Sequence, residues 1–157
     1  MDVRKALESD IEAAVGLAER TRRQYQKFQP TFWRKAPDSV AKTRALFTKL
    51  IAEPGVYFLV AVEGRQQLGF LIATKFPAPP VNAAGGDIYL VDDFCVAEPH
   101  HWLTIGEALL SHATTLLHEH GVTQIVVVCG DRDLPKTEML RRSDLTIASN
   151  CWTKALG

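Results

Sequence analysis

The feature that most constrains the fold is a pair of apolar runs separated by an amphipathic helix. Residues 87–96 are typical of a long buried strand, and residues 124–129 form a short valine-rich run that predicts a strand buried on both faces. Between them, leucine and alanine recur at helical spacing until Gly121, a residue suited to the C′ position of a helix. Two strands joined by a helical crossover are parallel neighbours, which predicts an α/β fold.

The other segments add strands and helices in an order that predicts a mixed sheet. Ser9 and Glu12 form a capping-box pattern at the start of a first helix, and residues 37–39 open a second one. A turn at residues 63–65 joins two strand-like runs into a hairpin. The predicted strands cover residues 3–6, 56–62, 67–74, 87–96, 124–129 and 145–156, and the predicted helices begin near residues 10, 37, 99 and 135.

Composition indicates one globular domain over residues 1–157. Of these residues 46% are apolar, and the 18 basic residues balance the 18 acidic ones, which excludes a global field that attracts nucleic acid or anionic membrane. Cys95, Cys129 and Cys151 are odd in number and far apart, which predicts reduced thiols in a cytoplasmic protein. No metal-ligand spacing and no run of about 20 apolar residues occurs, so neither a metal site nor a membrane span is expected.

The turn at residues 99–107 is the first candidate binding site. A strand that passes through a short turn into a helix directs the unpaired N–H groups and the positive end of that helix at the turn, where phosphate is the usual ligand. Gly106 lies where a missing Cβ would let a ligand approach the backbone. The alternative is a turn that binds nothing, with His100 as a surface residue.

This segment and the order of the elements resemble the GNAT superfamily of N-acetyltransferases. The family's pyrophosphate motif, R/Q-x-x-G-x-G/A, would fall on residues 101–106, with flanking sequence on both sides. The resemblance implies a mixed central sheet flanked by helices on both faces, and a domain that binds acetyl-CoA as co-substrate. It implies that the pantetheine arm follows the backbone of residues 94–96 and that the pyrophosphate lies on the amides of residues 102–106. The candidate cofactor-binding residues are Phe94, Cys95, Val96, His101, Trp102, Leu103, Thr104, Ile105, Gly106 and Glu107.

The sequence departs from the family pattern at several positions. His101 replaces the usual Arg or Gln, and a protonated imidazole would restore the cation. Thr104 replaces the first glycine of the motif, and its hydroxyl would add a donor for phosphate. Leu140 occupies the position at which the family often has a tyrosine that protonates the CoA thiolate. No acid is therefore visible at that position.

Asp92 and Asp93 are the candidates for a catalytic base. An amine acceptor is protonated at neutral pH and must lose a proton before it attacks a thioester. Strand alternation predicts that Asp92 shares a face with Phe94, and Asp93 a face with Val91. The resemblance favours Asp92 as the base, because Asp92 would lie on the same face of the strand as Phe94. The alternative for each carboxylate is a structural role.

The segment after the first helix predicts one wall of an acceptor site. Basic residues alternate there with aromatic ones, and no acidic residue occurs from 20 to 35. In the GNAT resemblance these rings line the acceptor site; the alternatives are a cover for the core or a surface that stacks nucleic-acid bases. The candidate substrate-binding residues are Tyr25, Phe28, Phe32 and Trp33.

Taken together, the sequence predicts an acetyl-CoA-dependent N-acetyltransferase that acts on an amine of a small molecule or a peptide. The alternative is a catalytically inactive domain of the same fold that binds acyl-CoA or a protein partner. Neither membrane nor nucleic acid is the expected partner. The last predicted strand, with its apolar residues and Trp152, would allow a homodimer.

Overall fold

Five strands form one sheet and are arranged in the order in which they occur along the chain. The computed structural model describes residues 1–157. The first four strands pair antiparallel, whereas the fourth and fifth are parallel, so the predicted mixed sheet is confirmed. The strands are Asp2–Lys5 (β1), Tyr57–Glu63 (β2), Gln66–Phe76 (β3), Asp87–Val96 (β4) and Val122–Val127 (β5).

Helices cover both faces of this sheet, as the resemblance implied. They are Ile11–Phe28 (α1), Ser39–Ala52 (α2), Glu107–Glu119 (α3) and Leu134–Arg142 (α4). Buried residues of α1 and α2 share one apolar core with Phe58 and Phe70 of the sheet. Buried residues of α3 and α4 share a second core with Leu71 and Val91. None of the helices combines the length and the apolar character that a bilayer crossing requires.

The amino terminus of α1 differs from the predicted one. A 3-10 turn over Glu8–Asp10 precedes the helix and places Ser9 inside the turn. The Asp10 carboxylate accepts the Leu7 N–H at 2.8 Å and pairs with Arg4 at 2.7 Å. Leu7 and Asp10 therefore occupy the N-cap and N3 positions that the capping-box pattern assigned to Ser9 and Glu12, and that assignment is wrong. The helix also continues to Phe28, beyond its predicted end at residue 23.

The carboxy-terminal part of the chain also corrects the prediction. β5 is an edge strand in which Thr123 and Gln124 are exposed, so it is not buried on both faces. No helix or strand follows Arg142, and residues 146–157 are exposed. A strand needs a second backbone to pair with its N–H and C=O groups, and no backbone pairs with this segment within the single chain. The predicted last strand is therefore absent.

A buried ion pair holds the connection between α1 and α2. Glu19 is 5% exposed, and its carboxylate accepts hydrogen bonds from the Lys35 ammonium and the Ser39 hydroxyl, each at 2.6 Å. Burial by itself raises the pKa of Glu19, but the bonds from Lys35 and Ser39 together bring that pKa below its usual range. Folding therefore favours the ionised carboxylate.

We expect Glu19→Gln to lower the free energy of unfolding at pH 7 by about 2 kcal/mol, the order of a hydrogen bond to a charged group. Because the folded-state pKa of Glu19 is lowered, its contribution is present above the unfolded pKa and is lost as the pH falls through the folded value. Urea unfolding at neutral and acidic pH should show the difference between the two proteins shrinking in acid. Glu12→Gln, which removes an exposed pair with Arg44, is the control. An equally large loss in that control would contradict the prediction.

Candidate active site

A β-bulge in β4 organises the candidate site. Two residues of β4, Asp92 and Asp93, lie opposite the single residue Ile72 of β3. The extra residue interrupts the alternation of side chains along the strand. Phe94 consequently packs in the same core as Val91, and the prediction that Phe94 shares a face with Asp92 is wrong.

Beyond the bulge, β4 separates from β5. Their parallel pairing ends at Val91, whose carbonyl accepts the last hydrogen bond, from the Val128 N–H at 2.9 Å. On the other side of β4, the Ala97 N–H donates to the Leu68 carbonyl of β3. Because bonded and non-bonded pairs alternate along antiparallel strands, the backbone groups of Phe94 point away from β3 and into the space between β4 and β5. We call this space the β4 gap.

A buried lysine reaches into the β4 gap from α4. The Lys136 ammonium donates to the Phe94 carbonyl at 3.2 Å and lies 5.2 Å from the ring centroids of both Phe94 and Trp102. Lys136 is only 2% exposed. Our sequence analysis missed this residue. Its spacing of four from Leu140, which places both on one face of α4, is the signal that could have found it.

The predicted phosphate turn is helical. A 3-10 turn over Pro99–His101 continues as a π-helical turn over Trp102–Gly106, which leads directly into α3. The Trp102 N–H already donates to the Pro99 carbonyl, and the Thr104 hydroxyl donates to the His101 carbonyl at 3.3 Å. The Thr104 hydroxyl therefore already has an acceptor within the turn, and its role as a donor to phosphate stays a prediction. A π-helical turn is rare and often marks a functional site.

The side chains at this turn are unequally exposed. The Trp102 ring is buried against Gly106, where an added Cβ would lie 2.5 Å from a ring carbon, and it packs edge-on against Phe94 at 4.9 Å. The His101 Nδ1 atom is buried without a hydrogen-bond partner, and its ring lies against that of His100. Of the other predicted cofactor-binding residues, Cys95 and Ile105 are buried, Val96 is half-buried, and Leu103 and Glu107 are exposed.

A cleft of about 360 Å³ opens between α1, the segment that follows it and the end of β4. Of the predicted acceptor-binding residues, Tyr25, Phe32 and Trp33 line it, whereas Phe28 does not. The Trp33 ring packs edge-on against those of Tyr25 and Phe32, with centroids 5.1 and 4.7 Å away. Asp92, Asp93, Phe94 and Lys136 line the opposite side, so the cleft reaches the β4 gap.

The Tyr25 hydroxyl is part of the structure that holds the cleft. It donates to the Asp133 carboxylate at 2.8 Å and accepts the Gly130 N–H at 3.2 Å. Burial, with the charge of Asp133 beside it, raises the pKa of Tyr25 far above its usual value. Asp133 also caps α4 by accepting the Lys136 N–H. Tyr25 thus ties α1 to the start of α4, while its ring forms part of the wall of the cleft.

The two aspartates of the bulge have different surroundings. Asp92 is exposed, whereas Asp93 is half-buried and pairs with Arg22 of α1 at 2.9 Å. Burial raises the pKa of Asp93, and Arg22, which donates its other nitrogen to Thr43, acts against that increase. Asp92 raises the pKa of Asp93 further, and Lys136 lowers it. Asp93 is therefore a carboxylate with elevated proton affinity.

Cations outnumber anions in the lining of the cleft. Lys35 is neutralised by Glu19, and Lys42 pairs with Asp38 at 3.1 Å. Arg34 lines the cleft and forms no salt bridge with any carboxylate. Because most of the basic residues are paired with acids, they do not form a continuous basic surface of the kind that holds nucleic acid.

A sequence model described as the acetyltransferase (GNAT) family matches residues 18–142, from within α1 to the end of α4. The match covers well over half of the chain. The chain belongs to the GNAT acetyltransferase family. It is thus assigned to the acyltransferases, as the resemblance implied. No curated protein matches the sequence significantly.

Solved structures share the fold at low sequence identity. A tetramutant of the BH1408 protein from Bacillus halodurans superposes with a TM-score of 0.83 at 16% identity, over 99% of this chain and 100% of that one. A predicted acetyltransferase from Clostridium acetobutylicum, crystallised with acetyl-CoA, gives 0.73 at 15% identity, over 99% and 95% of the two chains. The aminoglycoside 6′-N-acetyltransferase AAC(6′)-IG from Acinetobacter haemolyticus gives 0.73 at 14% identity, over 100% and 99%.

Membership of this family implies acetyl-CoA, and the residues at the β4 gap fit its thiol end. The Phe94 backbone presents an edge that no strand pairs with on the gap side, and the only side chain bonded to its carbonyl is a flexible lysine. Fewer backbone donors are free at the pyrophosphate end, because the Trp102 N–H is already bonded to the Pro99 carbonyl. The amides of residues 103–106 remain the predicted donors for phosphate.

The packing of Trp102 against Gly106 predicts that alanine is destabilising at Gly106 but stabilising at Gly16. Gly106→Ala would place a methyl group 2.5 Å from the Trp102 ring, and such overpacking lowers the free energy of unfolding by about 1–3 kcal/mol. Gly16→Ala, inside α1 with no atom within 4 Å of the new Cβ, should instead raise it by about 0.5–1 kcal/mol. Urea unfolding measures both. A neutral Gly106→Ala would contradict the close packing of the Trp102 ring.

Proposed function

We propose that this acetyltransferase transfers the acetyl group of acetyl-CoA to a primary amine of a small molecule or a peptide. The observation that carries the proposal is that the Phe94 backbone borders both the β4 gap and the cleft that contains Asp93. A thioester placed along this strand edge would present its carbonyl carbon to an acceptor in the cleft. Backbone donors of β4 would stabilise the negative charge that develops on the carbonyl oxygen.

We assign the role of general base to Asp93, with Asp92 as the alternative. The acceptor amine has a pKa of about 10 and must lose a proton before its nitrogen can attack. Asp93 is the better candidate because burial raises the pKa of its carboxyl, and because Arg22 holds it at the cleft. Proton transfer would run from the amine to Asp93, directly or through an ordered water.

The lining of the cleft favours an acceptor that carries an apolar or aromatic body and an anionic group. Tyr25, Phe32 and Trp33 offer ring surface, and Phe32 is 56% exposed. Arg34 supplies a cation that no acidic side chain neutralises, and a guanidinium suits a carboxylate or a phosphate. The acceptor would therefore bind with its amine toward Asp93 and its anionic group toward Arg34.

A second candidate function is a domain that binds acyl-CoA or a protein partner without turnover. Three observations favour it. Leu140 cannot donate a proton, Lys136 already occupies the Phe94 carbonyl, and the phosphate turn is helical. Ligand binding and turnover separate these possibilities. The transferase and the acyl-CoA binder both require the β4 gap to accept CoA, but only the transferase releases thiol, whereas a domain that binds a protein partner requires neither.

Thermal shift and thiol release test the proposal in sequence. Acetyl-CoA at about 100 times its Kd should stabilise the protein by about 2.7 kcal/mol, whereas no shift would exclude the transferase and the acyl-CoA binder and leave the domain that binds a protein partner. Thiol release should then follow addition of amines that carry an anionic group. A neutral analogue of each active amine is the matched control, and equal rates for both would contradict the role of Arg34.

For the base, Asp93→Asn should lower kcat by at least about a hundredfold while leaving the Kd for acetyl-CoA unchanged. Asp92→Asn, at the neighbouring exposed position, should change kcat far less. Both variants keep the shape of the side chain, and we expect both to fold. Unfolding curves check that the fold is retained. The reverse order of the two effects would move the base to Asp92, and two active variants would exclude a carboxylate base at the bulge.

We further propose a cytoplasmic homodimer. The three cysteines are unpaired, as expected in a reducing compartment. The β5 edge has no partner, and the exposed carboxy-terminal segment carries Trp152 at 93% and Ile147 at 70% exposure. An exposed, unpaired segment that carries large apolar side chains can pair with the β5 edge of a second copy.

Light scattering after size exclusion should give twice the 17.4 kDa mass of one chain. Substitution of both Ile147 and Trp152 by Asp should halve the measured mass, because it places charges in the paired segment. Val81→Asp, at an 89% exposed loop position, is the control and should leave the mass unchanged. A wild-type protein of monomer mass would contradict the homodimer.

A further inference from the structure

Lys136 is the buried charge that the fold does not explain. Its side chain is 2% exposed and forms no salt bridge, and its single hydrogen bond goes to the Phe94 carbonyl. Burial of an ammonium group without a carboxylate partner is unfavourable, and the two aromatic rings at 5.2 Å compensate only part of that cost. Nor can an ammonium cap the start of α4, because the N–H groups there need an acceptor, which the Asp133 carboxylate supplies.

The charge lies at the end of the β4 gap where the proposed function requires one. Cleavage of a thioester leaves a thiolate, and a thiolate among apolar rings such as Phe94 and Trp102 needs a cation nearby. Leu140, one helical turn after Lys136 on the same face of α4, has no proton to donate. A lysine side chain from the preceding turn reaches the same gap and brings a positive charge.

We infer that the Lys136 ammonium receives the departing sulfur of CoA and stabilises it as the thiolate. This inference rests on the proposed function. The acceptor nitrogen forms a bond to the acetyl carbon and loses a proton to Asp93, while the bond from that carbon to sulfur breaks. Lys136 exchanges its hydrogen bond with the Phe94 carbonyl for one with the sulfur, which stays a thiolate beside the ammonium and takes a proton from water when CoA is released.

The arrangement separates the cation that receives the sulfur from the base that receives the proton. Asp93 is held on the α1 side of β4 by Arg22, and Lys136 approaches from α4. Asp93, Cys95 and Cys129 lie within electrostatic range of Lys136, and the Asp133 carboxylate accepts the Lys136 N–H. Burial raises the pKa of Cys95 to about 11 and also raises that of Cys129, so these thiols stay protonated at neutral pH. The two carboxylates already have partners, Arg22 for Asp93 and the Tyr25 hydroxyl for Asp133, whereas the ammonium has no anionic partner.

The test compares CoA with desulfo-CoA, which lacks the sulfur atom, by titration calorimetry at pH 7.5. If Lys136 lowers the pKa of the bound thiol by about two units from 8.5, CoA gains about tenfold in affinity over desulfo-CoA. Lys136→Met, of similar length and without charge, should abolish this ratio. Lys49→Met, at an exposed position on α2, should retain it.

A second measurement needs no variant at Lys136. The ultraviolet absorbance of thiolate should appear when the wild-type protein binds CoA at a pH where free CoA is mostly thiol. Absence of that signal, or an unchanged ratio in Lys136→Met, would overturn the inference while leaving the proposed function intact if amine acetylation is observed. Tighter binding of both ligands by Lys136→Met would also overturn it, because Lys136 would then be an obstruction. Failure of the wild-type protein to bind CoA would overturn both proposals.

Discussion

The candidate site depends on the extra residue that β4 carries opposite Ile72. This bulge turns Asp93 toward Arg22 and returns Phe94 to the core that Val91 occupies. It also marks the point at which β4 leaves β5, because the last backbone bond between them ends at Val91. One irregularity in one strand thus positions a carboxylate and exposes a backbone edge, and neither would exist in a regular sheet.

The β4 gap is bordered by side chains that stabilise the fold as well as the site. Trp102 packs against Gly106 and Phe94, and Met139 of α4 is fully buried in the same core. Lys136 adds a buried positive charge to these apolar side chains. A ligand that enters the gap must therefore displace some of these side chains, because there is no empty channel for it to fill. The lysine is the most flexible of them, so we expect it to move when a ligand binds.

The resemblance to the GNAT family was visible in a run of neighbouring residues, and the match to the family model confirms it. The role of each side chain in the site depends instead on contacts between segments that are distant in the sequence. Tyr25 illustrates this: its ring lines the cleft as the predicted acceptor wall requires, but its hydroxyl is committed to Asp133, more than a hundred residues away. A pattern of aromatic and basic residues identifies a segment and cannot assign the partner of each side chain.

The sequence by itself determined the order of most elements, the parallel pair joined by α3 and the glycine that ends that helix, because periodicity and turn chemistry act over a few neighbouring residues. Gly121 indeed has a φ of 77°. Only the tertiary structure decided the bulge, the burial of Lys136 and the absence of the last strand. Each depends on a second segment: β3 sets the register of β4, α4 carries Lys136 to Phe94, and residues 145–156 have no strand beside them.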